Sequence, residues 1–382
     1  MQTPSKAGAF SLLAIACLTI MVGCVIVPAL PSIAERLGIQ HAGLLVTIPS
    51  LGVVVFGPLA GRLIDRIGPY KAVSIGLFLY GVLGVGAVFL HGPVPVFTDR
   101  LLLGGATALV MAGGTGLISA LYQGKARLKM IANQGMAIEL GGVIFLFIGG
   151  VLATVGWWWP FMLYLTSWAM LLMLLVFVSP NGVQVEAATE DSARLPISRA
   201  LKHVFMAAVF SMLAFFTGVI ALPLRLRDFA LTEAQTGYFL AFVSLVAVGA
   251  AALIPRVVPR LRDHGTLSLA FGFYAIAHFI FALAPNLEVI IIGGIAMGGG
   301  FGFSVPLVNH MTIEQSHAVV RGRNLAYLSM SIFSGQFLCS AIELVPGNTT
   351  LIFLGSAILA VAVATWCWSN HRPRRNDKVP AG

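Results

Sequence analysis

Three charged residues stand in surroundings that penalise charge. Asp99 and Arg100 adjoin near the start of the fourth of about a dozen long apolar runs, and Glu139 lies in the middle of the fifth. A charge at membrane depth costs at least about 2.5–3.5 kcal/mol, so such residues face a partner or a cavity and often serve ion or substrate movement. A carboxyl set between an apolar surround and a cation can take up and release a proton as that surround changes. Arg100 with Glu139, or with Asp99 in its place, is therefore the expected proton-coupling set. The plainer readings are an Arg100 that snorkels to an interface and a Glu139 that makes a static interhelical hydrogen bond.

Arg100, Gly104, Thr107, Met111 and Thr115 fall close to one face of a helix. That small and polar stripe suits a cavity wall, with Thr107, Met111 and Thr115 as candidate lining. Asp99 falls about a quarter turn away and need not make the same contacts. Gly135, Gly142 and Gly149 share the side of Glu139, and a glycine stripe lets another helix approach closely. Phe215 and Phe216 in the seventh run, with Tyr238 and Phe242 in the eighth, are candidates for an aromatic pocket. His278 reads as a satisfied buried histidine.

The elements that position these residues follow from composition. Of 382 residues 58% are hydrophobic and 10% charged, and mean hydropathy is +0.94. A soluble domain carries about 25% charge, so the expected solvent is a lipid bilayer. Runs near the ~20 residues that span its core lie at about 8–30, 41–61, 72–90, 95–119, 130–152, 157–179, 202–224, 234–256, 266–284, 287–308, 324–344 and 349–369. They are too long and too uniformly apolar for barrel strands. The net charge of +9 is a topology signal, and no nucleic-acid partner is expected. Only Arg36, Arg225 and Arg227 fall in one set of loops, and Arg100 lies within a span. The other Lys and Arg residues lie in the opposite loops and the tails, which places both termini in the cytoplasm. Cys17, Cys24, Cys339 and Cys367 lie within spans and suit neither zinc nor a disulfide framework.

The one long polar stretch, 180–201, divides the runs six and six. The expected organisation is an N-terminal bundle at 1–179, a cytoplasmic linker at 180–201, a C-terminal bundle at 202–371 and a cytoplasmic tail at 372–382. The halves also repeat. Gly23 and Pro28 recur as Gly218 and Pro223, Gly43 and Ser50 as Gly237 and Ser244, and Gly68 as Gly265, at offsets of 194–197. A nearly constant offset indicates a duplicated six-helix unit. The fold class is an all-α membrane protein of twelve transmembrane helices in two pseudo-symmetric six-helix bundles.

The loop after the second run reads Gly61-Arg62-Leu63-Ile64-Asp65-Arg66-Ile67-Gly68-Pro69-Tyr70-Lys71. Gly68 permits a turn, Asp65 can accept hydrogen bonds at a neighbouring helix N-terminus, and Arg66 and Lys71 hold the loop in the cytoplasm. Its pattern resembles the loop between helices 2 and 3 of the major facilitator superfamily. Gly23 and Pro28 to Pro31, and Arg100 with Gly104-Gly105, resemble the twelve-helix drug:proton antiporters of that superfamily. Gly156 to Phe161 resembles the start of their sixth helix. The resemblance implies that Gly61, Asp65, Arg66, Gly68 and Lys71 form a conformational gate loop and that Arg100 takes part in proton coupling. One departure is that Phe145-Leu146 stands where exporters often carry Gly-Pro before Gly149-Gly150.

The expected function is proton-coupled export of a small amphipathic compound by alternating access, in a monomer of the inner (plasma) membrane. A small-molecule substrate, protons and lipid are its partners, and no cofactor or metal is required. The alternatives are metabolite uptake by the same fold and a membrane-embedded lipid-modifying enzyme. The latter would need a polar catalytic cluster that the sequence does not offer, and no phosphate-binding Gly-x4-Gly-Lys loop supplies an ATP motor.

Overall fold

The computed structural model describes residues 5–179, 196–317, 320–344 and 349–369. Among these, helices follow one another and no strand occurs. In the first bundle α1 (Lys6–Cys24) passes through a 3-10 turn at Val27–Ala29 into α2 (Leu30–Leu37). Then come α3 (Leu44–Ile67), α4 (Pro69–Gly86), α5 (Pro93–Leu121) and α6 (Gly124–Val155). A short α7 (Trp159–Met162) leads into α8 (Thr166–Phe177). The second bundle holds α9 (Arg199–Arg227), α10 (Glu233–Leu283), α11 (Leu287–Glu314), α12 (Arg321–Leu338) and α13 (Thr349–Ser369).

Among the described residues, ten helical stretches are long and apolar enough to cross a membrane. At 51 residues α10 is about 76 Å of helix, against a hydrocarbon core of about 30 Å. It bends at Arg262, where φ is 57°, and so makes two crossings. The less apolar α12, of 18 residues, completes twelve. The linker at 180–195, within the expected 180–201, and the tail expected at 372–382 lie outside the described residues.

Local chemistry sets the ends. Ser5 and Ser198 accept from the amides of Gly8 and Leu201 and start α1 and α9. Thr232 and Gln235 form a reciprocal capping box on α10, and Asn286 caps α11. Pro69 and Pro93 open α4 and α5, where a missing N–H costs nothing. Gly38 (φ 69°) and Gly68 (φ 83°) end α2 and α3 in a backbone region that suits glycine.

The duplication is visible in packing. Gly104 of α5 sits against the Pro49 carbonyl and Gly52 of α3; Gly298 of α11 sits against the Val243 carbonyl and Val246 of α10. Each residue of the second set lies 194 positions after its counterpart.

The bundles meet along α6 with α10 and α3 with α12. They are pinned together at the sparsely charged end. Ser32 of α2 donates to the Glu233 carboxylate, and Arg227 donates to Ser32 at 3.3 Å. Gly150 and Gly237 let α6 and α10 touch backbone to backbone: a Cβ on either would lie 2.8 Å from the other's Cα. Phe147 and Tyr238 stack beside them, with centroids 4.9 Å apart.

Candidate functional site

Arg100 is fully buried. Its Nη2 donates to the carbonyls of Leu83 and Gly84 at 3.1 and 3.0 Å and to Asp99 Oδ2 at 3.1 Å; Nε reaches the same oxygen at 3.3 Å. The guanidinium also lies 5.4 Å from the ring centres of both Phe161 and Tyr164. One residue of α5 therefore holds α4, α7 and the turn before α8 at once. Tyr80 extends this cluster by donating to the Leu18 carbonyl of α1 at 2.7 Å.

This arrangement bears on the alternatives left open for Arg100. Asp99 does share the contacts of Arg100, because the long arginine side chain folds back along the helix. Arg100 is neutralised by that neighbour inside the bundle rather than by Glu139, and it does not snorkel.

Glu139 stands apart. Its side chain is half-buried on α6, and it makes no hydrogen bond or ion pair among the described residues. It lies within Coulombic reach of the Cys24 thiol of α1 and of the Tyr274 hydroxyl in the second bundle. Leu146, two turns further along α6, touches Gly237 of α10. Glu139 thus sits below the point where α6 and α10 close on each other. Of the expected glycine stripe only Gly149 makes a close approach, onto the Val25 carbonyl of α1. Gly135 faces open space, which explains the access to this side of α6.

The other candidates divide. Thr107 is spent on the Leu103 carbonyl of its own helix, and Thr115 accepts from Gln134 of α6 at 3.1 Å. Met111 packs with Val53 of α3 and Phe333 of α12, along the line where the bundles meet. Phe215 lines a small apolar niche with Leu146, Leu240 and Met297, and its ring centre lies 4.0 Å from that of Phe301. Phe216 is fully buried and abuts Gly23. Tyr238 is 44% exposed and Phe242 leans on Phe239, so these two do not join the niche. The expected loop is mostly helical: Gly61, Asp65 and Arg66 close α3, Gly68 makes the turn and Lys71 lies in the first turn of α4. Asp65, Arg66 and Lys71 are exposed, a Cβ on Gly61 would meet nothing, and Asp65 makes no hydrogen bond or ion pair among the described residues.

Sequence reasoning passed over the polar interior of the second bundle. Ser211, Tyr274 and Ser304 form a closed hydrogen-bonded triangle with sides of 3.2, 3.2 and 2.6 Å. Tyr274 lies 194 positions after Tyr80, and that spacing was the available signal. His278 is fully buried; its Nε2 meets the Ala214 carbonyl at 2.9 Å, while its Nδ1 has no hydrogen-bond partner among the described residues, so only one ring nitrogen is satisfied.

Two pseudo-equivalent bundles with charges buried at membrane depth, closed on each other at one end, define a multi-pass membrane transporter rather than an enzyme. The chain belongs to the Major Facilitator Superfamily, whose family model matches residues 11–340. It is similar to Multidrug resistance protein 2 of Bacillus subtilis, 21% identical over 374 residues and 92% of each chain. A stretch of 138 residues is 29% identical to the Quinolone resistance protein NorA of Staphylococcus aureus. That match covers 36% of each chain, so it spans only about a third of that relative. The solved structure of the nucleoside transporter NupG shares the fold, with a TM-score of 0.78 at 13% identity, covering 96% of this chain and 100% of that one.

Proposed function

We propose that this protein is a proton-driven exporter of small amphipathic compounds, acting as a monomer in the plasma membrane with both termini in the cytoplasm. The observation that carries this reading is Glu139: a carboxyl at the meeting of the bundles, held by no partner. The names of the two bacterial relatives, a multidrug and a quinolone resistance protein, support export as the direction.

The cycle follows from charge and burial. With the sparsely charged outer end pinned shut, access to the site would be from the cytoplasmic side, and a Glu139 carboxylate there would meet the substrate. Rocking of the bundles would break the Ser32–Glu233 and Arg227–Ser32 links and turn Glu139 outward. A proton from outside neutralises it, the substrate leaves, the uncharged side chain tolerates the return through the closed state, and the proton then passes to the cytoplasm, which restores the carboxylate. An ionised Glu139 sealed from water would cost several kcal/mol, which discourages return without a proton. Asp99 is less suited to this role because Arg100 already holds it.

Glu139→Gln and Asp99→Asn separate the two acids. Glu139→Gln should abolish gradient-driven transport by at least tenfold and retain substrate exchange without a gradient. Asp99→Asn should keep driven transport wherever it folds. Normal pumping by Glu139→Gln would remove this carboxyl from the mechanism.

A further inference from the structure

Glu139 has a serine opposite it across the join between the bundles. Helix α6 and the first half of α10 cross the bilayer in opposite directions, and they touch where a Cβ on Gly237 would lie 2.7 Å from the Leu146 carbonyl. Glu139 stands seven residues before Leu146, and Ser244 seven residues after Gly237. Seven residues of helix advance about 10 Å and return a side chain to within about 20° of the same face. Both residues therefore lie two turns below the contact, near one level and on facing sides. Leu146 and Ser244 already line the same small niche, which fixes the side of α10 that Ser244 occupies. Ser244 is half-buried, and neither it nor Glu139 makes a hydrogen bond among the described residues.

The internal repeat supplies a second view of this pairing. Phe333 of α12 lies 194 positions after Glu139, and Ser50 of α3 lies 194 positions before Ser244. Phe333 sits in one packed cluster with Val53 of α3, a turn from Ser50. Ser50 is fully buried, and its hydroxyl has no partner among the described residues. In this repeat the helix that bears the serine thus meets a phenyl ring, which offers no hydrogen bond. At Glu139 a carboxyl stands in place of that ring, so the same approach joins two polar groups. Glutamate and serine linked by an O–H···O bond of about 2.7 Å reach across a Cα separation of about 10 Å. Closure of the basic end then has only to bring α6 and α10 to an ordinary packing distance of about 8–10 Å.

We propose that Ser244 is the hydrogen-bond partner of protonated Glu139 in the outward-facing state: as the basic end closes, the carboxyl O–H donates to Ser244 Oγ. The serine positions the proton-bearing group while the site is sealed from water, and does not itself carry the proton. A neutral carboxyl enclosed without a partner would lose its hydrogen bonds to water and gain none. The titratable groups within reach of Glu139 from the helices packed on α6 are Cys24 of α1 and Tyr274 of α10. Cys17 of α1 donates to the Ala137 carbonyl, and among the described residues no cation lies within Coulombic reach of Glu139. This assignment deepens the proton-driven reading and rests on it.

The test is transport by the full chain in inside-out vesicles, with ethidium as the probe and the lumen pH varied. Ser244→Ala should move the lumen pH for half-maximal driven accumulation about one unit lower, a tenfold greater proton demand equivalent to about 1.36 kcal/mol. Exchange without a gradient should stay within twofold. Ser244→Thr, which keeps the hydroxyl, should restore the wild-type profile. An unmoved midpoint in Ser244→Ala, equal loss of driven transport and exchange, or a Ser244→Thr variant no better than Ser244→Ala overturns the assignment. Wild-type vesicles without driven accumulation would instead end the proton-driven reading. The approach of the two residues is then judged by oxidative cross-linking in a chain whose four cysteines are replaced by alanine. Glu139→Cys with Ser244→Cys should link, whereas Met136→Cys with Leu245→Cys, at positions 59% and 56% exposed, should not. Absence of the first link, or equal linking of both pairs, overturns the pairing.

Discussion

Replacing Arg100 by Met tests whether the Asp99–Arg100 pair is a strut or part of the proton machinery. The substitution keeps much of the apolar stem and removes every donor. It strands a carboxylate that is 7% exposed and takes one bond each from the carbonyls of Leu83 and Gly84. Removing one partner of a buried ion pair costs about 3–5 kcal/mol, whereas replacing both by apolar groups is often nearly neutral. Arg100→Met should therefore lower unfolding free energy by about 3 kcal/mol or more. The double variant Asp99→Leu/Arg100→Met should recover most of that loss, with a coupling energy of about 2 kcal/mol or more. Equilibrium unfolding in mixed micelles, followed by circular dichroism, measures all three variants. If the single variant costs under about 1 kcal/mol, or the effects simply add, the pair is not the strut its geometry describes. A double variant that folds well but no longer couples transport to a gradient would return Arg100 to the proton pathway.

Two further outcomes follow from the ends of the molecule. Asp65→Asn should leave the thermal midpoint within about 1 °C, because Asp65 has no partner among the described residues, and should slow transport severalfold if its carboxylate bonds only when the basic end closes; unchanged turnover would reduce the loop to a topology signal. Gly237→Ala puts a Cβ 2.7 Å from the Leu146 carbonyl and 2.8 Å from the Gly150 Cα. It should force α10 from α6 and raise the population opened at the sparsely charged end, read as a longer spin-label distance between positions 36 and 228, which leave the Ser32–Glu233 link in place; an unaltered distance distribution would contradict the packing account.

The crossings were legible because a bilayer demands long apolar runs, and a fixed offset between glycines disclosed the duplication. Helical continuity was not legible at Pro255 and Pro259, where α10 runs on past its apolar stretch into Arg260. Apolar length marks only the part of a helix in lipid, and the basic extension needs none. The last third of the expected span at 324–344 turns out as a 3-10 segment at Cys339–Leu344, since hydropathy does not distinguish helix types. At the site, Glu139 stood out by its type in an apolar run. The partner of Arg100 did not, because successive helix residues point about 100° apart and only the flexible guanidinium stem brings Asp99 within reach. Tyr80 and the link between Ser32 and Glu233 depend on contacts between distant segments, which single-chain patterns do not encode.

The most direct test of the account is transport in inside-out membrane vesicles that contain the wild-type chain. Export coupled to proton entry predicts that norfloxacin or ethidium accumulates in the lumen when the lumen is acidified, that a protonophore abolishes accumulation, and that Glu139→Gln vesicles fail to accumulate either compound. Accumulation that is indifferent to the proton gradient, or none beyond that of empty vesicles, would contradict it.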